Sequence, residues 1–111
     1  MEEKRAHTRK LMHEEAFLSN AGDNGWSPIV LLDISTHGAS FATAEMLASG
    51  EVRRIRFSLP GSRSSHHVSF KVVHCGTGGV PSGYRIGARF VTIDADTTDQ
   101  IVDFVSKPAA D

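Results

Sequence analysis

Two arginines near the start of the chain, Arg5 and Arg9, have the chemistry and the spacing of an anion-binding pair. A guanidinium carries its donors in a planar fork, which can bridge two phosphate oxygens or the O6 and N7 acceptors of guanine. Lysine cannot make this contact with a single ammonium group. Because residues four apart point to the same side in a helix or an extended strand, a ligand with two anionic groups could be held between these side chains.

A second group of polar residues lies in the segment Asp33-Ile-Ser-Thr-His-Gly38. An ionised aspartate only accepts hydrogen bonds, so it complements donors such as N1–H and N2–H₂ of guanine. Ser35 lies two residues further on, on the same strand face, and can donate or accept. Gly38 closes the turn without a Cβ, which would let a planar base approach the backbone.

In this order, the two segments resemble the signature of the PilZ domain family, the bacterial receptor modules for cyclic di-GMP. That signature is R-x-x-x-R, then a strand and a loop, then [D/N]-x-S-x-x-G. It is present here as Arg5-Ala-His-Thr-Arg9 and Asp33-Ile-Ser-Thr-His-Gly38, and Tyr84-Arg-Ile-Gly-Ala-Arg-Phe90 is similar to the late strand of the family. The likeness runs from about residue 4 to residue 105, which is nearly the whole chain.

The resemblance assigns a role to each signature residue. Arg5 and Arg9 would grip phosphates and guanine edges, while Asp33, Ser35 and Gly38 would shape a pocket for the base.

Three further residues are weaker candidates for the same site. In this family, a long basic residue just before R-x-x-x-R accompanies an intercalated ligand dimer, so Lys4 favours two ligands per protomer. His37 could stack on a base or simply fill the turn. Arg89 could reach the site or pair with a carboxylate elsewhere.

Each motif by itself has an ordinary structural explanation. An arginine pair alone would be a solvated basic arm, and Asp-x-Ser-x-x-Gly alone would be a plain turn. Their joint order and spacing favour the ligand site.

The overall charge argues against a nucleic-acid-binding protein. The formal net charge is -1, and aromatic residues make up only 7% of the chain. A basic groove with aromatic stacking platforms is therefore not expected, nor is a DNA or RNA partner. Arg53, Arg54 and Arg56 form a local basic cluster, for which a solvated strand face is the default interpretation and a partner surface the alternative.

The sequence contains no pattern typical of catalysis, metal binding or membrane insertion. Cys75 is the only cysteine, and His66, His67 and His74 lack the spacing of a helical metal site. Neither a nucleophile elbow nor a phosphate-binding loop is present. We expect no catalytic residues, no metal and no catalytic cofactor. Since the longest apolar run is 29–32, we expect a cytoplasmic protein that does not insert into a membrane.

Alternating apolar and polar residues, separated by turn-forming residues, predict a mainly β protein. The strands are expected at 10–18, 26–35, 39–43, 51–59, 67–75 and 84–93. We expect them to form a six-stranded antiparallel β-barrel of the split-barrel type with a C-terminal α-helix at 98–106. The domain organisation would be a flexible arm at 1–9, the barrel and helix at 10–107, and a frayed tail at 108–111.

Four local features complete the prediction. Strand two should have Trp26, Val30, Leu32 and Ile34 on one face, and residues 44–50 should form one helical turn. A slip in the alternation near Arg53 suggests a bulge in strand four. Asp94 or Asp96 should cap the C-terminal helix.

The sequence thus predicts a cyclic di-GMP receptor, a monomer or weak dimer, whose arm changes conformation on binding and signals to an unidentified protein partner. The alternative is an adaptor with the same fold that binds proteins and not the nucleotide.

Overall fold

Six antiparallel strands close into a barrel, and one helix follows the last strand. The computed structural model describes residues 9–78 and 80–106. Around the barrel the strands follow the order β1-β2-β3-β6-β5-β4, and β4 pairs with β1 to close it. The elements are β1 (Lys10–Ser19), β2 (Trp26–Ile34), β3 (Gly38–Thr43), β4 (Val52–Phe57), β5 (His66–Gly76), β6 (Tyr84–Thr92) and α1 (Ala95–Ser106). The predicted six-stranded antiparallel barrel with a C-terminal helix is confirmed.

The core is formed by alternate residues of every strand, because successive side chains of a strand point to opposite faces. In β5, Val68, Phe70 and Val72 are each no more than 1% exposed. Phe70 meets Phe41 of β3 edge to face, with ring centroids 5.5 Å apart. Ile101 of α1 is fully buried and belongs to the same core, so the helix packs on the barrel.

The predicted face of β2 is wrong. Ile29 and Leu31 are buried, whereas Val30 and Leu32 are only half-buried. Both faces of this strand carry apolar residues, so alternation alone could not distinguish them. A bulge adds to the difficulty, since the register with β3 shifts between Leu31 and Asp33.

The predicted helical turn at 44–50 is also wrong, because these residues form an irregular segment that ends in a tight turn. The amide of Glu51 donates to the carbonyl of Ala48 over 3.0 Å. Gly50 has a φ of 88°, which glycine adopts without steric cost.

The bulge predicted near Arg53 is wrong, because β4 is continuous through this residue. Pairing with β5 runs without a shift, so there is no bulge. Arg53 is therefore in phase with Ile55 and is only 6% exposed, while Val52 is 55% exposed. The charge is compensated, because the guanidinium pairs with Glu51 (2.9 Å) and Glu45.

We expect Arg53→Met to lower the free energy of unfolding by about 1–3 kcal/mol, since it removes charge-assisted hydrogen bonds from a buried position. The guanidinium also donates to the carbonyl of Ser19, which joins β4 to the end of β1. Urea denaturation measures the loss. Arg54→Met, at the exposed neighbouring position, should change stability by no more than about 0.5 kcal/mol. Equal effects of the two substitutions would contradict the structural role of Arg53.

Asp94 caps α1, which confirms one of the two predicted capping residues. The amide of Thr97 donates to the Asp94 carboxylate over 2.7 Å. This hydrogen bond holds the pKa of Asp94 below its ordinary value. The helix begins at Ala95, three residues before the predicted start.

Candidate ligand-binding site

The centre of the site is Asp33, which the β2 bulge places on the outer face of the barrel. Leu31 lies opposite Phe41, and Ile34 lies opposite Ala39, all four in the core. Asp33 lies between them, opposite Ser40. Because a bulge inserts an extra residue, Asp33 does not follow Leu31 into the core. The carboxylate therefore faces outward at the end of β2.

Two arginines hold the carboxylate of Asp33, a residue that is only 5% exposed. Arg9 Nη1 is 2.5 Å from Oδ1, and Arg85 Nη2 is 3.3 Å from Oδ2. The side chain of Arg9 is 52% exposed and that of Arg85 is 37% exposed. Each carboxylate oxygen is thus held by a different guanidinium, and both guanidiniums retain donors that solvent can reach.

Arg85 is a site residue that the sequence analysis missed. It lies on β6, opposite Ala42 of β3, two positions from Gly87, which is opposite Ser40. Asp33, Ser40 and Gly87 therefore form a row across β2, β3 and β6. The pairing of β3 with β6 places Arg85 beside this row, within reach of the Asp33 carboxylate. Its place in the late-strand motif was the available signal, but nothing there distinguished it from Arg89.

Ser35 is buried and stabilises the turn between β2 and β3. Its hydroxyl accepts hydrogen bonds from the amides of His37 (3.2 Å) and Gly38 (3.3 Å). Its own amide donates to the carbonyl of Gly38 over 2.8 Å. These hydrogen bonds determine the shape of the turn beside Asp33. Ser35 thus contributes to a pocket through the turn conformation.

Gly38 is required for a reason that the sequence analysis did not give. A Cβ at this position would lie 2.1 Å from the carbonyl oxygen of Ala88 on β6. The backbones of β3 and β6 therefore approach so closely that no side chain fits. The amide of Phe90 donates to the carbonyl of His37 over 2.8 Å, which also fastens the turn to β6.

A pocket of about 280 Å³ opens beside the turn, and three exposed residues that the sequence predicted line it: Arg9, His37 and Arg89. The rest of its lining consists of Ser35, Gly38, Val73 and Ala88. Arg89 lies opposite Gly38 and is exposed. His37 is exposed as well, with Nδ1 3.0 Å from the Thr36 hydroxyl. Lys4 and Arg5 lie outside the described residues.

The charges around the turn favour an anionic ligand. Among the described residues at this turn, the guanidiniums of Arg9, Arg85 and Arg89 outnumber the single carboxylate of Asp33. Partly exposed guanidiniums can accept phosphate or a guanine edge bidentately, and the carboxylate can accept from guanine N1–H and N2–H₂. Phosphate and guanine recognition are therefore possible within one site.

Within residues 9–78 and 80–106, the structure contains no group of three histidine, cysteine or acidic side chains arranged to hold a metal ion. In the same ranges, no helix has the length and apolar character needed to cross a membrane.

The comparison with known families confirms the resemblance drawn from the signature residues. A family model described as the PilZ domain matches residues 3–107. No curated protein sequence matches the chain.

Solved structures share the fold. The inhibitor of motility from Bacillus subtilis (MotI/DgrA) has a TM-score of 0.78 at 15% identity, over 93% of this chain and 50% of that one. YcgR from Escherichia coli in complex with c-di-GMP has a TM-score of 0.71 at 19% identity, over 92% of this chain and 44% of that one. For the PilZ domain of YcgR with c-di-GMP, the TM-score is 0.70 at 17% identity, with 93% and 89% covered. The chain thus spans about half the length of the first two proteins (50% and 44%).

Proposed function

The chain belongs to the PilZ domain family, and we propose that it is a receptor for cyclic di-GMP. PilZ domains are ligand-binding modules and not enzymes. The observation that carries the proposal is the pairing of Asp33 with both Arg9 and Arg85 beside the Ser35 turn. Signature residues more than twenty positions apart in sequence therefore meet at one outer face of the barrel.

The ligand would use groups that are already close together. The exposed guanidinium of Arg9 is suited to a phosphate or to the O6/N7 edge of guanine. Asp33 is suited to the N1–H and N2–H₂ edge, which requires that an arginine move off one of its oxygens. Arg85 and Arg89 lie on the β6 side, where they can stabilise a second anionic group.

We further propose that the segment 1–9 acts as an arm that becomes ordered around the ligand, with Arg5 joining Arg9. Lys4, which precedes this pair, favours an intercalated ligand dimer. Ordering of a segment by a ligand is a common way to create or remove a surface for a partner.

A contact at the base of the arm supplies a route to the rest of the protein. Lys10 follows Arg9 directly, and its Nζ donates to the carbonyl of Phe104 over 3.1 Å. The same ammonium lies 4.4 Å from the centroid of the Phe104 ring. Phe104 is in the last turn of α1. Movement of the arm would therefore alter the contact between Lys10 and the end of the helix. The partner that responds to this change is a protein yet to be identified.

Calorimetric titration of the whole chain with cyclic di-GMP tests the receptor function. We expect saturable binding with two ligands per protomer, and little heat with GMP, which has one phosphate and one base. Light scattering of the same samples gives the oligomeric state, for which we expect a monomer or a weak dimer. Absence of heat and of any thermal shift with cyclic di-GMP would overturn the proposal and favour the adaptor function.

A further inference from the structure

A second cluster of cationic side chains lies on the outer face of the barrel, far from the ligand site. It consists of Phe17, Trp26, Arg54, Arg56 and His67, which we call the arginine–aromatic patch. The strands β2, β1, β4 and β5 are neighbours in that order, so these residues form one continuous surface. Phe17 lies in β1, eight residues after Arg9, or about 25 Å away at the usual rise of a strand.

Register determines which side chains meet in the patch. Arg56 is opposite Phe17 on one side and His67 on the other. Arg54 and Arg56 alternate with the buried Arg53 and Ile55, so both point outward. Side chains two apart on one strand face are about 6.6 Å apart along it.

Aromatic rings hold both guanidiniums in place. The Arg56 guanidinium carbon lies 4.9 Å from the ring centroids of Phe17 and of Trp26. That of Arg54 lies 5.4 Å from the Trp26 ring, and His67 meets the same ring edge on at 5.7 Å. Stacking restricts the arginine rotamers, so less side-chain entropy is lost when their N–H groups bind an acceptor.

The positive charge of the patch has no carboxylate partner in the part of the chain that the structure describes. Among the residues that the structure describes, neither Arg54 nor Arg56 forms an ion pair with a carboxylate. Glu14 and Glu15 line a small hollow beside Phe17 and Arg56 without pairing with the arginine. A complementary partner must therefore bring its own carboxylates.

We propose that the arginine–aromatic patch binds an extended acidic segment of a partner protein, with carboxylates two residues apart pairing with Arg54 and Arg56. Alternate residues of an extended chain lie on one face at the same spacing as these arginines. A guanidinium fork accepts a carboxylate bidentately. This surface goes beyond the proposed receptor function and does not depend on it.

A nucleic acid fits the patch less well than an acidic peptide. Base stacking needs open aromatic faces, whereas the Trp26 ring already contacts Arg54, Arg56 and His67.

Trp26 is the only tryptophan, so its fluorescence reports directly on the patch. The probe is a short synthetic peptide of alternating glutamate and glycine, compared with its glutamine counterpart at low salt. We expect a saturable fluorescence change with the glutamate peptide alone. The double variant Arg54→Gln/Arg56→Gln should weaken binding at least about tenfold. Arg54→Lys/Arg56→Lys keeps the charge but lacks the guanidinium fork. Its affinity for the glutamate peptide should lie between that of the wild type and that of the double glutamine variant.

Two controls make the test decisive. Arg63→Gln removes one positive charge from the exposed loop after β4 and should bind the peptide like the wild type. Cyclic di-GMP titration of the double variant should be unchanged, so failure of this inference is distinct from failure of the receptor function. Equal binding of both peptides, or unchanged binding by the double variant, would overturn the proposal. Binding of a mixed-sequence single-stranded oligonucleotide in place of the peptide would assign the patch to nucleic acid.

Discussion

Replacing Arg9 by alanine is expected to weaken cyclic di-GMP binding by about 100-fold or more, because a guanidinium can make two charge-assisted hydrogen bonds to one ligand group. The fold should be almost unaffected. The side chain is 52% exposed, and its partner Asp33 keeps the contact with Arg85. Because water can reach the carboxylate in place of the Arg9 guanidinium, and Arg85 remains as a partner, we expect a loss of about 1 kcal/mol. Calorimetric titration gives the affinity, and thermal unfolding without ligand gives the stability.

Arg9→Lys separates the geometry of the fork from its charge. The ammonium retains attraction to phosphate but cannot bridge two acceptors, so we expect a loss of about tenfold. Arg63→Ala removes a cation from an exposed loop and should leave the affinity unchanged. Wild-type affinity in Arg9→Ala would show that the site assignment is wrong.

Gly38→Ala is expected to lower the free energy of unfolding by about 2–4 kcal/mol, which is large for the addition of a single methyl group. The added Cβ would lie 2.1 Å from the Ala88 carbonyl oxygen. The atom that the new Cβ would meet belongs to the backbone of β6, next to the first pair of the β3–β6 ladder, so no side-chain rotation can relieve the contact. Since Arg89 lies opposite Gly38, the same separation of strands should also weaken ligand binding.

Gly22→Ala is the matched control for this substitution. Gly22 lies in the exposed turn between β1 and β2, and a Cβ there would meet no atom within 4 Å. Its stability should stay within about 0.5 kcal/mol of the wild type. Urea denaturation and cyclic di-GMP titration of both variants provide the comparison. If Gly38→Ala were as stable as Gly22→Ala, the close approach of β3 and β6 would not exist as described.

Much of the fold could be predicted from local patterns in the sequence. The alternation of Val68, Phe70 and Val72 with polar neighbours predicted β5 correctly, since strand periodicity depends only on adjacent residues. The cap at Asp94 followed from a local rule as well. The errors occurred where neighbours in sequence were uninformative. In β4, a slip in the alternation near Arg53 suggested a bulge, but Arg53 is buried and paired with carboxylates supplied by Glu45 and Glu51.

The site could be predicted only in part. The signature pointed to Arg9, Asp33, Ser35 and Gly38, and the structure brings them to one turn and its surroundings. Their physical contributions differ from what residue chemistry suggested. Ser35 and Gly38 determine the shape of the turn and its fit against β6, whereas Arg9 and Asp33 carry the charged groups that we propose as ligand contacts.

By itself, therefore, the sequence determined the number and type of the strands, the capped helix and the order of the signature residues, because each depends on short-range periodicity or on residue identity. The tertiary structure decided which face Asp33 occupies and which cation completes its pairing. A single bulge in β2 turns the carboxylate outward, and the adjacency of β3 and β6 brings Arg85 to it from 52 residues away. Strand adjacency in a closed barrel is set by the packing of the whole core, and no local pattern around residue 33 or residue 85 contains that information.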